Sequence, residues 1–510
     1  MVESVLSRRL AKRCFLATFI VAAAIRFYLL WQYYCISSDG VVYLRAAGEF
    51  YRGDIAAGLS SVYPPGYPLL VAAVYPLIGQ WELAGQLLSL LLGVLLLFPL
   101  YWIFADVFGE RAALIACFLA AISPFLALYS VHVRSESTYI CFSAFALYLF
   151  LAAIERQRGW AWFWGGVVAG YAYLVRPEAI GFLVIIPVVA VIRWFSQKRI
   201  HFSLLAASFG LLSAGFLLFS LPYIVYLSGD TGRLGAISRK AGITLAINLK
   251  ESGALADGDV QQDAGLSSFV FTDYVRQHPI RYLEQVASDV VPAVGVYFEA
   301  LYYAYLPFLL LGTFVGLRNR PWTKPELLLV VFVLFYIFGF ALIYVKRRYA
   351  LQAVPISLGW VAVGMVYTRE KLRTNFTAQK GTLLAVSLGL VFLGATLART
   401  LKPVSREKAY VRETGWYLKT QNKTGDLRVA VFDERVTFYA AAKTVSLANV
   451  EQAKLRNELR KSRPDYLAVE SRAFQKVYPE TAKRPDLYGL ALEKTFIGRR
   501  NDKMLLFKVL

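Results

Sequence analysis

The sequence predicts a polytopic α-helical membrane protein carrying a small C-terminal α/β domain, and three observations predict it. Of the 510 residues, 57% are hydrophobic and 15% aromatic, with a mean hydropathy of +0.50, whereas soluble domains are about 45–50% apolar. Apolar runs of about 18 residues or more, long enough to cross the hydrocarbon core as helices, recur up to residue 398. Beyond that point the pattern changes to short strand-like and helix-like runs. Residues 1–398 are therefore assigned to a membrane domain and 399–510 to an α/β domain.

The first run, "MVESVLSRRLAKRCFLATFIVAAAIRFYLLW", has a basic start and an apolar part of about 18 residues, and it lacks a small-x-small cleavage site. It reads as a retained helix, with Arg26 inside it expected to face the bundle and find a partner there. Spans are expected near 14–34, 83–104, 112–130, 138–154, 160–175, 178–195, 203–227, 297–317, 326–345, 349–367 and 381–398, about eleven in all. Lys and Arg of the short loops favour a cytoplasmic N-terminus, about seventeen inside against seven outside. An odd number of spans then puts the C-terminal domain on the extracytoplasmic side. Gly166 and Gly170 in "GGVVAG" predict close helix packing.

Five motifs mark the outer helix ends, and four of them gather acids or bases there. In "SSDG", Asp39 follows the first span, where a carboxylate can take a proton from a hydroxyl or hold that hydroxyl in place. In "SVYPPGYPLL", Pro64, Pro65 and Pro68 stiffen the chain, while Tyr63 and Tyr67 suit an interfacial belt. In "VHVRSESTY", Glu136 opens a span, with His132 and Arg134 as its expected partner charges; an acid at a membrane boundary needs a partner or water. In "YLVRPEAIG" and "YVKRRYALQAVP", Arg176, Glu178, Lys346, Arg347, Arg348 and Tyr349 stand at helix ends, where guanidinium forks can grip a phosphate. Three successive cations cannot share one helical face, so at least one of 346–348 should turn towards lipid headgroups. For each motif a purely structural role, a helix-end turn or a headgroup contact, is the competing reading.

Two larger segments lie outside on this topology. Residues 228–296 form a loop containing "SSFVFTDYVRQHPIRYLEQVASDVV", an amphipathic helix suited to the interface. In the tail, strands are expected at "LRVAVF" (427–432), "DYLAVE" (465–470) and "KMLLFKV" (503–509), and helices at 406–421 and 450–462. The tail carries 24 Lys and Arg against 13 Asp and Glu, a net of +11 out of the whole chain's +21. Beside a membrane, such a domain favours anionic headgroups or acidic glycans; no nucleic acid is implied. The four cysteines lie in or beside apolar runs without paired spacing, which suggests neither a disulfide framework nor a zinc site. Asp39, His132 and Glu136 could hold a divalent cation if they converged, but they lack diagnostic spacing. No cofactor or metal is expected to be required.

The order of these motifs resembles the bacterial branch of the dolichyl-phosphate-mannose–protein mannosyltransferase family, which includes the lipid A aminoarabinose transferases. The resemblance covers about residues 10–400 and is strongest between 26 and 180. It implies a GT-C-like fold and a sugar donor linked to a polyprenyl phosphate, used on the extracytoplasmic side of a bacterial inner membrane. Asp39 matches the family's first-loop acid, and Glu136 takes a place commonly held by Asp. Arg347, Arg348 and Tyr349 match the pattern before the penultimate span, and Arg176 with Glu178 matches the Arg-Pro phrase between spans five and six.

On this reading Asp39 and Glu136 are the catalytic candidates. Arg176, Lys346, Arg347 and Arg348 bind the donor phosphate, and Tyr63, Tyr67, His132, Arg134, Glu178 and Tyr349 line the substrate cavity. A transporter or flippase of lipid-linked glycans is the alternative. Transporters usually place charges near the bilayer midplane between repeated halves; here, Arg26 apart, the charges cluster at one surface and no internal repeat is evident.

Overall fold

The computed structural model describes residues 8–198, 202–232, 238–251, 271–319, 325–447, 450, 452–499 and 502–510. The chain divides into two compact units, Met1–Phe27 with Ala46–Leu401, and Tyr28–Arg45 with Lys402–Leu510. The segment that carries Asp39 therefore clusters with the tail, although the sequence reading placed all of 1–398 in one domain. Backbone pairing accounts for this grouping: Tyr34 N–H donates to Val404 O at 3.1 Å and Val404 N–H to Gln32 O at 3.0 Å.

The membrane unit is built from helices. In chain order they include α1 (Arg8–Trp31), α2 (Ser38–Tyr51), α3 (Gly66–Ile78), α4 (Trp81–Leu95), α5 (Leu97–Phe108), α6 (Glu110–Ile122), α7 (Pro124–Tyr129) and α8 (Ser135–Arg156). There follow α9 (Gly159–Val175), α10 (Phe182–Ser196), α11 (Phe202–Thr231), α12 (Pro279–Leu301), α13 (Leu306–Asn319), α14 (Glu326–Phe338), α15 (Val354–Asn375) and α16 (Ala378–Thr400). The first turns of α2 and the last of α1 belong to the second unit.

Helix stands at each expected span, but among the described residues six helices are long and apolar enough to cross a membrane. A seventh is added if α12 and the helix after it, which meet at 89°, count as one broken span. The shortfall from about eleven has local causes. The expected span 112–130 is interrupted at Ser123–Pro124, between α6 and α7. The last turns of α15 carry Arg369, Glu370, Lys371 and Arg373, which lowers their hydropathy. α14 runs into a 3-10 turn, Gly339–Leu342.

Small residues set the helix crossings. A Cβ on Gly166 would strike Leu212 O, one on Gly170 would strike Phe216 O, and one on Gly215 would strike Phe163 O. α9 and α11 thus touch backbone to backbone, as the Gly-xxx-Gly spacing predicts. Of the expected amphipathic segment, residues 267–270 lie outside the described residues; the rest forms Phe271–Gln277 and α12, with Ile280, Leu283 and Val291 exposed.

The second unit contains a five-stranded sheet in the order β2-β1-β3-β5-β4. Its elements are α17 (Ala409–Gln421), β1 (Arg428–Val431), α18 (Arg435–Ala440), β2 (Lys443–Ser446), α19 (Gln452–Ser462), β3 (Tyr466–Glu470), α20 (Ser471–Val477), β4 (Leu490–Ile497) and β5 (Lys503–Val509). β1 pairs in parallel with β2 and β3, placing Ala430 between Val445 and Leu467, while β5 runs antiparallel to β3 and β4. Leu455, Leu459, Leu467, Val469, Phe474 and Phe507 fill the core on one face. The three expected strands are β1, β3 and β5. β2 and β4 were not expected from the sequence, and both are edge strands whose residues are largely exposed, so they lack the apolar alternation that marks a half-buried strand.

Candidate active site

Arg176 is the hub of the membrane unit's charged cluster. α9 ends at Val175 because Pro177 cannot continue the helix, and Arg176 takes up an extended backbone with φ −153° and ψ 132°. The following 3-10 turn, Pro177–Gly181, places Glu178 so that its carboxylate folds back on the guanidinium. Arg176 Nη2 donates to Glu178 Oε1 at 2.9 Å and Nε donates at 3.3 Å. From the first turn of α8, Glu136 Oε1 lies 3.3 Å from Arg176 Nη1. Arg176 and Glu136 are buried and Glu178 is nearly so. One cation thus faces two carboxylates where ions are expensive to hold, and the arrangement persists only because each carboxylate is paired.

The cluster extends across an aromatic ring. The Arg176 guanidinium lies 5.1 Å from the centre of the Tyr349 ring and 5.8 Å from that of Tyr139. On the same Tyr349, Arg348 sits 4.9 Å from the ring centre and donates from Nη2 to the hydroxyl at 3.0 Å. Phe340 stacks on Tyr349 at 4.7 Å, and the Tyr139 and Tyr336 hydroxyls pair behind it. The structure therefore brings together Glu136, Arg176, Glu178, Arg348 and Tyr349 from three separate motifs. Two carboxylates occupy the Arg176 fork, which leaves the cations of the 346–348 run better placed to meet an incoming anion.

Those three cations diverge. Arg347 Nη1 donates to Glu299 Oε1 at 2.6 Å, with its guanidinium 4.4 Å from the Phe125 ring centre. Lys346 Nζ lies 4.1 Å over the Tyr344 ring. Of the remaining expected residues, Tyr67 is fully buried and its hydroxyl joins Gly85 O and Ser89 Oγ, both at 3.0 Å, so it pins α3 to α4. Arg134 lies 5.9 Å from the Tyr129 ring centre, and the His132 ring is 6.1 Å from the same ring. Tyr63 is half-buried, and its N–H donates to Ser61 Oγ at 3.2 Å. Buried Arg26 donates to Ala121 O at 3.2 Å, a carbonyl in the last turn of α6, where helix ends leave acceptors open. Among the described residues no group of three His, Cys, Asp or Glu side chains could hold a metal ion.

Gln352 escaped the sequence reading. It is 3% exposed, and among the described residues neither Nε2 nor Oε1 has a hydrogen-bond partner. The signal was present in "RRYALQAVP", where one amide interrupts an apolar run directly after the cations.

In the second unit, Asp39 lies in the first turn of α2, where the helix dipole favours a negative charge. Ser37 Oγ accepts from Gly40 N–H at 3.1 Å and so holds that turn. The preceding segment is strapped to the α/β domain. Ile36 N–H donates to Tyr439 Oη at 2.7 Å, Arg412 Nη1 to Tyr33 O at 2.9 Å, and Arg435 Nη1 to Ile36 O at 3.4 Å. Asp433 in turn fixes Arg435, accepting from its Nε at 2.8 Å. A cavity of about 490 Å³ opens at the carboxyl ends of β1, β2 and β3, with Ser38, Val42, Asp433, Ser446 and Glu470 among its lining residues. Carboxyl ends of parallel strands at a reversal of strand order are where open α/β sheets bind ligands.

These features define a multi-pass membrane protein whose fold is GT-C-like. Residues 62–224, which include Glu136, Arg176 and Glu178, match the family described as dolichyl-phosphate-mannose-protein mannosyltransferase. The fold is shared with the Archaeoglobus fulgidus oligosaccharyltransferase tethered to an acceptor peptide, at 13% identity and a TM-score of 0.63, over 99% of this chain and 74% of that one. ArnT from Cupriavidus metallidurans bound to undecaprenyl phosphate is similar at 12% identity and a TM-score of 0.56, over 97% of both chains. AglB from Archaeoglobus fulgidus, in complex with an inhibitory peptide and a dolichol-phosphate, aligns at 12% identity and a TM-score of 0.56, over 96% of this chain and 74% of that one. No curated protein matches by sequence.

Proposed function

We propose that this chain transfers a sugar from a polyprenyl-phosphate-linked donor to a lipid, glycan or protein acceptor at the extracytoplasmic face of a bacterial inner membrane. Its N-terminus is then cytoplasmic and its α/β domain extracytoplasmic. The observation that carries the reading is the buried Glu136–Arg176–Glu178 cluster joined through Tyr349 to Arg348. Such a cluster holds a cationic helix end rigid, so that Arg348, with Arg347 and Lys346 beside it in the chain, meets the donor phosphate without reorganising. The undecaprenyl phosphate and dolichol-phosphate bound by the ArnT and AglB structures support a lipid-linked donor.

The acceptor oxygen attacks the anomeric carbon through an oxocarbenium-like state. The bond from that carbon to the phosphate oxygen breaks as the new glycosidic bond forms, the configuration inverts, and the lipid phosphate leaves as an anion stabilised by the cations. For a hydroxyl acceptor, Asp39 takes the proton as general base; for an acceptor that is already an anion, Asp39 only positions it. Glu136 maintains the charge balance around Arg176.

Asp39→Asn tests the reading in membranes supplied with the donor lipid. Transfer to a hydroxyl acceptor should be abolished while protein abundance and donor-lipid binding persist; undiminished transfer would remove the base assignment. Mass spectrometry of envelope lipids and glycans from a deletion strain should reveal one missing glycosyl substituent, naming sugar and acceptor together.

A further inference from the structure

A second cavity, far along α15 from the Tyr349 cluster, has a different chemistry. It encloses about 580 Å³ between α6, α15 and α16, within the range of small-molecule sites. On α6, Arg111, Leu114 and Phe118 face it; on α16, Ala385, Leu388 and Phe392 do. In each helix these positions recur at the three- and four-residue spacing of a single face.

The two faces form a wedge. At one end Thr400 Oγ1 donates to Ile122 O at 2.8 Å and ties α16 to the end of α6. Deeper in the bundle, Tyr305 and Phe308 close on Phe392, with ring centres 5.0 and 5.8 Å away. Towards the other end α16 stands off: Leu388 is 42% exposed, and a Cβ on Gly389 would meet nothing within 4 Å. At the mouth the lining turns ionic, with Arg111, Arg369 and Glu370, a net charge of +1. Both arginines are exposed. Arg369 is fifteen residues along from the start of α15, a rise of about 22 Å, so this mouth lies near the opposite membrane surface from Arg348.

An apolar wedge open to lipid, ending in two guanidinium groups at the headgroup level, matches one kind of molecule. We propose that this cleft binds a single anionic phospholipid, with an acyl chain between α6 and α16 and the phosphate gripped by Arg111 and Arg369. Basic pockets between membrane helices select anionic headgroups in this way, and arginine holds phosphate through paired hydrogen bonds. The inference rests on the membrane placement of the helices and not on the transfer reaction.

The test uses the full chain reconstituted in nanodiscs of equal phosphatidylglycerol and phosphatidylcholine, then released for native mass spectrometry. The wild type should retain one phosphatidylglycerol in at least tenfold preference over phosphatidylcholine. Arg111→Gln with Arg369→Gln should abolish the preference. Gly389→Phe fills the wedge where there is room for a ring, and should remove the retained lipid while leaving the unfolding temperature unchanged or raised. Equal retention of both lipids by the wild type, or undiminished phosphatidylglycerol retention in Gly389→Phe, would overturn the proposal. If the double arginine variant does not fold, Gly389→Phe decides alone. Because lipid retention is read without donor or acceptor, loss of the glycosyltransferase reading would leave this result untouched.

Discussion

Tyr439 accepts a 2.7 Å hydrogen bond from the backbone N–H of Ile36, three positions ahead of Asp39. The α/β domain thereby sets the chain's approach to the candidate base. Tyr439→Phe would leave the buried Ile36 N–H unmatched, a loss of about 1–3 kcal/mol of stability. Displacing Asp39 by a fraction of an ångström should lower transfer by about ten- to a hundredfold, with donor binding unaltered. Steady-state kinetics beside donor-lipid titration checks this: unchanged turnover in a destabilised variant would make the bond a structural strap only.

Arg176 is worth more to the fold than either acid alone. Arg176→Ala strands Glu136 and Glu178 together without their cation, whereas Glu136→Gln leaves Arg176 paired with Glu178 at 2.9 Å. Removing one side of a buried pair costs about 3–5 kcal/mol. Arg176→Ala should therefore reduce folded protein far more than Glu136→Gln, measured as detergent-solubilised monomer and its thermal unfolding. Equal losses in the two variants would show that Glu178 does not hold the arginine.

The sequence shows some of this and hides the rest for identifiable reasons. The Arg176–Glu178 clasp is legible because Pro177 must end a helix there, and a polar residue on each side of it then stands at the bundle's edge. Glu136 is legible as an acid too costly to leave unpaired at a membrane boundary, but the partners expected for it are its neighbours Arg134 and His132, and Arg176, forty positions on, is not among them. The diverging 346–348 cations follow from helical geometry. The pairing of Tyr34 with Val404 is invisible to any local pattern, because those residues lie 370 positions apart. Tyr67 looked like an interfacial aromatic, yet its hydroxyl serves a helix contact inside the bundle. Among the strands, Lys443–Ser446 and Leu490–Ile497 were missed because edge strands exposed to solvent carry charges where a buried strand carries valines.

A cluster in the α/β domain should show itself at alkaline pH. Lys408 Nζ donates to Glu470 Oε1 at 2.6 Å and to Tyr410 Oη at 2.9 Å. Burial alone lowers the Lys408 pKa, but the contacts with Glu470 and Tyr410 outweigh it and hold it above the usual lysine value. Tyr410 is pushed up to about 12, first by burial and then by the neighbouring Glu470 carboxylate, against the opposing pull of Lys408. In both residues the folded state keeps a proton that the unfolded chain releases near pH 10. Stability is thus complete below about pH 10 and declines as pH rises towards 12. Urea unfolding of the full chain followed by tryptophan fluorescence should show this decline, and Tyr410→Phe should flatten it. An equally steep decline in the variant would place the titrating group elsewhere.

Gln352 offers the sharpest separation of stability from function. Its amide is buried, and among the described residues neither end has a partner, although buried polar groups are nearly always hydrogen-bonded. An unpaired buried amide loses about 1–3 kcal/mol in solvation, and replacing it by an apolar group of similar shape is neutral or stabilising. A chain that only needed to pack would place methionine there. The residue stands three positions after Tyr349 and four after Arg348, the last of the three cations, where a substrate or a bound water can supply the missing partners. Gln352→Met should therefore raise the unfolding temperature by a few degrees, matching about 1 kcal/mol in a domain of ordinary size, while transfer falls at least tenfold. Gln352→Asn should lose activity without that gain, because it keeps the amide and shortens its reach. If Gln352→Met is destabilised with full activity, the amide has a structural partner and takes no part in the reaction.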